Sequence, residues 1–160
     1  MKTLVVYESA YGNTEKIALA IGQALGAPEQ VHIARVTDVK PEHLAGLALM
    51  VVGSPTQKFC PLGTITRFLK TIPGRSLAGV KVAAFDTRMT EADVQKIRIL
   101  AFFVSIFGYA AKPIAGRLVR KGGELVLPPE GFYVAGTQGP LIEGELERAG
   151  QWARRIVAAC

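Results

Sequence analysis

The chain has 160 residues, 49% of them apolar and 20% charged. That is long enough for one domain with a sizeable core and excludes an intrinsically disordered chain. Its formal charge is +6, which favours an anionic ligand or an acidic partner or stands as a solvated basic surface. The Lys and Arg residues form no run interleaved with aromatics, so no nucleic-acid partner is expected. Two cysteines, Cys60 and Cys160, and two histidines, His32 and His43, exclude a disulfide framework and a His-rich metal centre. Lys2 precedes an apolar run too short for an export signal. The apolar stretch Ile99 to Ala111 falls short of the ~20 residues that span a bilayer. A soluble, cytoplasmic protein is the expectation.

Residues 2–7 read as a strand buried on both faces, since their apolar run is continuous. A helix follows, with Ile17, Ile21, Ala24 and Leu25 on one face, and Gly26 and Pro28 stop it. Val31, Ile33 and Val36 alternate as in an edge strand. Asp38 to His43 reads as a connector. Leu47 to Val52 is a second all-apolar strand, ending at the loop signal Gly53-Ser54-Pro55-Thr56. Leu62 to Ile72 reads as a helix with Leu62, Ile65, Phe68, Leu69 and Ile72 inward. Val80 to Phe85 is a third buried strand that closes at Asp86-Thr87-Arg88. Thr90 is placed to cap a helix that turns wholly apolar from Ile99 to Phe107 and breaks near Gly108. Ala111 to Lys121 is helical, with Pro113 tolerated in the first turn. Glu124 to Leu127 is a strand, interrupted by Pro128-Pro129 and resumed at Phe132 to Ala135. The last helix, Glu143 to Ala159, aligns Leu146, Ala149, Ala153, Ile156 and Val157.

Strands alternating with helices require crossovers and a parallel sheet covered on both faces. Right-handed crossovers bring every strand's C-terminal end to one edge, where such sheets bind ligands. Four loops therefore converge there: 9–14, 54–61, 86–89 and 137–140. The first lies between a strand and a helix N-terminus, where N–H groups lack intrahelical partners and the dipole attracts anions. On these residues alone an anion cradle and an ordinary capped turn both stand.

The motifs resemble those of the flavodoxin-like family of FMN proteins. Ser9, Gly12, Asn13 and Thr14 match that family's phosphate loop, with Ala10 between them and Tyr11 replacing a hydroxyl residue. Ser54, Pro55 and Thr56 look like the start of its first flavin-side loop, which Gln57, Lys58 and Phe59 continue. Asp86, Thr87, Arg88 and Met89 fall where its second flavin loop lies. The resemblance implies a single flavodoxin-like domain over 1–160. It implies a three-layer α/β sandwich whose five-stranded parallel sheet runs 2-1-3-4-5 with helices on both faces. It also implies noncovalent FMN and a role as an electron-transfer flavoprotein, with no catalytic residue and no metal.

The alternatives are an FMN-dependent NAD(P)H:quinone reductase, an enzyme similar to the menaquinone-linked protoporphyrinogen oxidase of the same fold, and an interaction module that has lost FMN. The GxGxxG fingerprint of a dinucleotide site is absent after the first strand. Phe59 reads as ring cover or as core packing. Arg88 reads as a cation that raises the flavin's second-electron potential, or as a surface residue paired with Asp86 or Glu91. Cys60 reads as a small packing residue or as a redox or covalent group beside the flavin loop. The expected partners are a redox protein or a quinone, with an acidic partner or an anionic membrane surface suited to the charge. The segment Ile99 to Tyr109 reads as buried core, as a homodimer interface or quinone-facing lid, or as shallow membrane contact flanked by Lys96, Arg98 and Lys112.

Overall fold

A computed structural model describes residues 1–160, the side chain of Phe107 being left aside. Its elements are β1 (Thr3–Tyr7), α1 (Asn13–Leu25), β2 (Val31–Arg35), α2 (Pro41–Leu44), β3 (Leu49–Pro55), α3 (Gly63–Thr71), β4 (Lys81–Met89), α4 (Glu91–Gln95), α5 (Arg98–Phe107), α6 (Ala111–Arg120), β5 (Glu124–Leu125), β6 (Glu130–Val134) and α7 (Glu145–Ala159). A 3-10 turn, Val36–Asp38, and α2 occupy the stretch expected as a plain connector.

The sheet is parallel and runs β2-β1-β3-β4-β5, with β6 also paired to β4. This is the expected 2-1-3-4-5 order, with β2 at an edge. The fifth position is divided: β5 pairs with the first half of β4, at Lys81 and Val82, and β6 with its second half, from Phe85 to Met89. Residues 126–129, with Pro128 and Pro129, carry the chain between the two.

Successive strand residues point to opposite faces, and the core divides accordingly. Leu4, Val6, Met50, Val52, Val82 and Ala84 meet Ile65 and Leu69 of α3 and Ile114 and Leu118 of α6. Val5, Val51, Ala83 and Phe85 meet Ile17 and Ile21 of α1 and Ala149, Trp152 and Ile156 of α7. On that second face Phe85, Phe132 and Trp152 pack edge to face, with centroids 6.0–6.2 Å apart. Gly53 makes room for them, since a Cβ there would lie 2.0 Å from Phe85 Cζ.

Four sequence expectations are corrected. Asp86 to Met89 is not a loop but the second half of β4, because β6 supplies ladder partners beyond the third strand. The helix capped by Thr90 is two helices. Thr90 Oγ1 does accept the Asp93 N–H at 3.1 Å, but Ile97 is extended and separates α4 from α5. In α7 Ala149, Ala153 and Ile156 are buried as expected and Trp152 joins them, while Leu146 and Val157 are exposed. The segment from Ile99 is not buried in the core: Ile99 is 68% exposed, Phe102 60% and Ile106 57%. Gly108 ends α5 with φ +72.

Candidate functional site

At the C-terminal edge β1 hands over to α1 through residues 8–12. Gly12 takes φ +84, and its N–H donates to Ser9 Oγ at 3.0 Å, which closes the turn. Lys16 N–H is the first in α1 to reach a helical carbonyl, that of Gly12. The N–H groups of 13–15 therefore precede the first helical bond and are available at the positive end of the helix dipole. Thr14 is 1% exposed. Its hydroxyl lies 2.8 Å from that of Thr87 on β4, so one O–H bonds the other oxygen and the second O–H is left to donate elsewhere.

Two sets of contacts that the sequence did not mark hold this turn. Glu8, largely buried, accepts the Ser9 N–H at 2.9 Å and the Thr64 hydroxyl at 3.3 Å, with Arg35 Nε 3.6 Å away. Asn13 Nδ2 donates to the Gln138 carbonyl at 2.9 Å, pulling the 136–140 loop over the turn. Gly139, at φ +100, faces Asn13, whose Nδ2 a Cβ would meet at 2.5 Å.

The turn forms one end of a cleft of about 390 Å³, within the range of roughly 300–1,000 Å³ common for small-molecule sites. Of the residues singled out in the sequence, Ala10, Tyr11, Asn13 and Thr14 line this end. Pro55, Thr56, Gln57 and Lys58 line one wall, and Thr87, Arg88 and Met89 the floor. Leu100 of α5, Val134 of β6, Gly136 and Thr137 complete it. The Tyr11 ring is exposed at the α1 end of the cleft.

Five residues of the same motifs stand back from the cleft. Ser9 and Gly12 shape the turn. Ser54 is fully buried, and its hydroxyl accepts the Leu62 N–H at 2.9 Å. Phe59, with φ +65, turns to stack on Phe103 of α5 at 5.6 Å between centroids. Asp86 lies beneath the floor with no exposed surface.

Asp86 and Arg88 are two residues apart on β4 and so share a face. Arg88 Nε donates to Oδ1 at 2.5 Å and Nη2 to Oδ2 at 2.7 Å. Oδ2 also accepts the Ala111 N–H at 2.8 Å, and Thr56 Oγ1 accepts that of Ala110 at 3.0 Å. Asp86 and Thr56 thus cap α6, whose own preceding residue, Ala110, has no side-chain oxygen. Burial pushes the Asp86 carboxyl above its ordinary value, and Arg88 and the Ala111 N–H pull it back. The guanidinium lies over the Tyr109 ring, 3.8 Å from its centroid, and fills the space beside Gly131. Arg88 is therefore paired with Asp86, as one sequence alternative had it, but at the cleft floor and only 17% exposed.

Between the 56–59 segment and α5 a smaller apolar annex of about 100 Å³ adjoins the cleft, lined by Phe59, Met89, Val94, Leu100, Val104 and Tyr109 among others. Cys60 is exposed and does not pack in the core, and Cys160 is exposed as well. Among the described residues no cluster of His, Cys, Asp or Glu has the makings of a metal site.

A doubly wound parallel sheet with N–H groups open at the start of α1 and a cleft on its C-terminal edge is an α/β protein of the class that takes up ligands at that edge. The flavodoxin domain family profile matches residues 4–119, and the chain belongs to that family. Among solved structures it is similar to flavodoxin 2 from Bacillus cereus, at 24% identity, full coverage of both chains and a TM-score of 0.74. It is similar to a flavodoxin from the Archaea, at 22% identity over 99% of this chain and 97% of that one, with a TM-score of 0.74. A flavodoxin, WrbA-like protein from Agrobacterium tumefaciens matches at 17% identity over 98% and 95% of the two chains, with a TM-score of 0.70. At such identities these likenesses concern the fold. A search among curated proteins finds no match.

Proposed function

We propose that residues 1–160 act as one flavodoxin-like domain that binds FMN noncovalently and carries electrons between redox partners. The observation that carries this reading is the cleft itself. One end offers the N–H groups at the start of α1 and the paired Thr14 and Thr87 hydroxyls. The other is lined by Pro55, Met89, Leu100 and Val134. That donor set suits a single phosphate at one end and a flat apolar ring at the other. When bound, FMN supplies one- and two-electron transfer. The chain's part is to hold the phosphate at residues 13–15, to exclude water with the apolar wall, and to present the Arg88–Asp86 pair from the floor.

The test is titration of flavin-free protein with FMN. Thr14→Val combined with Thr87→Val removes the hydroxyl pair at that end and is expected to weaken binding by about 2 kcal/mol, the value for a hydrogen bond to a charged group. Unchanged affinity in a folded variant returns the turn to a purely structural role.

A second reading is favoured by the annex. An apolar pocket beside the flavin cleft suits a flat acceptor such as a quinone, making the protein an FMN-dependent reductase. NAD(P)H consumption with a soluble quinone and no partner protein supports it. Flavin reduction only by a partner protein supports the carrier.

A further inference from the structure

Helix α5 has apolar residues on both of its long faces. Leu100 and Val104 line the annex. On the other side Ile99, Phe102 and Ile106, spaced i, i+3 and i+7, form a single stripe on the surface. A surface helix of a soluble monomer puts polar residues on that stripe, and a contiguous apolar patch there marks an interaction surface.

The charge around the helix says what covers it. Between Asp93 and Glu124 the chain carries Lys96, Arg98, Lys112, Arg117, Arg120 and Lys121 and no carboxylate. The remainder has 13 cations (19 less these 6) against 13 carboxylates. Within that segment Lys96 is paired with Asp93, and Lys121 reaches the Ile72 carbonyl from the far end of α6, so the cations that flank α5 itself are Arg98 and Lys112. Arg98 and Lys112 are exposed at either side of the helix. In a twofold dimer built on this stripe each patch meets itself, which turns Arg98 and Lys112 toward their own copies, the acids nearest α5 in sequence being Glu91 and the Asp93 already paired with Lys96. An anionic lipid surface matches both features: it takes up the stripe and attracts the flanking charges.

Within Arg98–Arg120 an 18-residue window has a mean hydropathy of 1.6, and by length and composition alone the stretch would suffice for a span. Its second half, however, is α6, with Ile114 and Leu118 fully buried in the core. That leaves α5 to lie on a bilayer, not to cross it.

We propose that α5 is a membrane-docking helix that seats the protein on anionic lipid through Ile99, Phe102 and Ile106, with Arg98 and Lys112 against the headgroups. The docking surface stands independently of the cofactor. Its functional meaning rests on the flavin reading, because the inner face of the same helix lines the annex beside the cleft.

The experiment is flotation of the full chain with vesicles of phosphatidylcholine alone and of phosphatidylcholine mixed with phosphatidylglycerol. The flavin spectrum and sedimentation velocity are recorded on the same samples. Binding to the mixed vesicles and not to the neutral ones is expected, with loss at high salt. Arg98→Ala with Lys112→Ala should lower the partition coefficient by about fivefold per cation and roughly thirtyfold together. Ile99→Ser with Phe102→Ser should abolish flotation while near-UV circular dichroism is unchanged. Absence of flotation, or flotation indifferent to both pairs of substitutions, overturns the proposal. A concentration-dependent dimer that Phe102→Ser disperses, without lipid binding, overturns it in favour of a second copy. Yellow protein that ignores lipid refutes docking alone, and colourless protein that floats refutes the flavin reading alone.

Discussion

Removing Asp86 strands two groups at once. In Asp86→Ala the Arg88 guanidinium loses both of its charge-assisted bonds, of 2.5 and 2.7 Å, and the Ala111 N–H loses its acceptor at the start of α6. Asp86 has no exposed surface and Arg88 has 17%, so water restores little. Breaking a buried pair from one side costs about 3–5 kcal/mol. Because Arg88 keeps the Tyr109 ring as a partner, the lower end, about 3 kcal/mol, is expected. Arg88→Met costs less, because Asp86 retains the Ala111 N–H and, with burial raising its pKa, can take up a proton. The double variant Asp86→Ala/Arg88→Met should cost less than the sum of the two by about 2 kcal/mol, within the range for directly coupled groups.

The assay is urea denaturation followed by the fluorescence of Trp152, which is buried beside Phe85 and Phe132. The pH dependence provides a second check. A carboxyl raised in the folded state contributes stability that is present below its unfolded pKa and lost as pH rises through the folded one. Arg88→Met raises Asp86 further, so its penalty must grow from mildly acidic to neutral pH. An Asp86→Ala cost below about 1 kcal/mol, or additive single effects, would refute the view that the floor is a coupled charge pair.

Gly53→Ala should cost about 3 kcal/mol, the upper end for overpacking. Its Cβ would fall 2.0–2.4 Å from three ring atoms of Phe85, which Phe132 and Trp152 hold in place, and thermal melting against wild type measures the loss. Tyr7 is raised above its ordinary value by burial first and by its hydrogen bond to Glu15 second. Its contribution is present below about pH 10 and is lost as pH rises through the raised value, so Tyr7→Phe should flatten the alkaline limb of a stability–pH profile. An unchanged limb would show that Tyr7 ionises freely in the folded state.

The three central strands were legible because Leu4–Tyr7, Leu49–Val52 and Val82–Phe85 are uninterrupted apolar runs, as doubly covered strands require, whereas the strand order came only with the family resemblance. The turn chemistry of Asp86-Thr87-Arg88 misled at the end of β4. A local turn signal yields to a ladder supplied from far along the chain, and β6 lies more than forty residues on. Helix α5 was misjudged for a related reason. Apolarity reports a need for cover, and only the packing of α4 and α6 shows that the domain does not provide it. In the site, the motifs at 9–14 and 54–58 could be recognised because they are contiguous. The Glu8–Thr64, Asn13–Gln138 and Asp86–Ala111 contacts join residues that share no local pattern. The Arg88–Asp86 pair stood among the sequence alternatives, but its strand face and its burial follow only from the extension of β4 to Met89.

The extension of β4 to Met89 gives the two sides of the cleft different mechanical characters. One side, Thr87 to Met89, is laddered to β6, and Thr87 also pairs with the end of β3. Its amide hydrogens should exchange only when the sheet opens as a whole. The opposite side is an irregular segment, 56–62, with positive φ at Lys58 and Phe59 and a single narrow bridge between Gln57 and Cys60. Adjustment to an incoming ligand therefore falls on that segment, while the strand side acts as a fixed template. A ligand that fits the template without disturbing it incurs little ordering entropy there, and protection gained on binding should concentrate at 56–62.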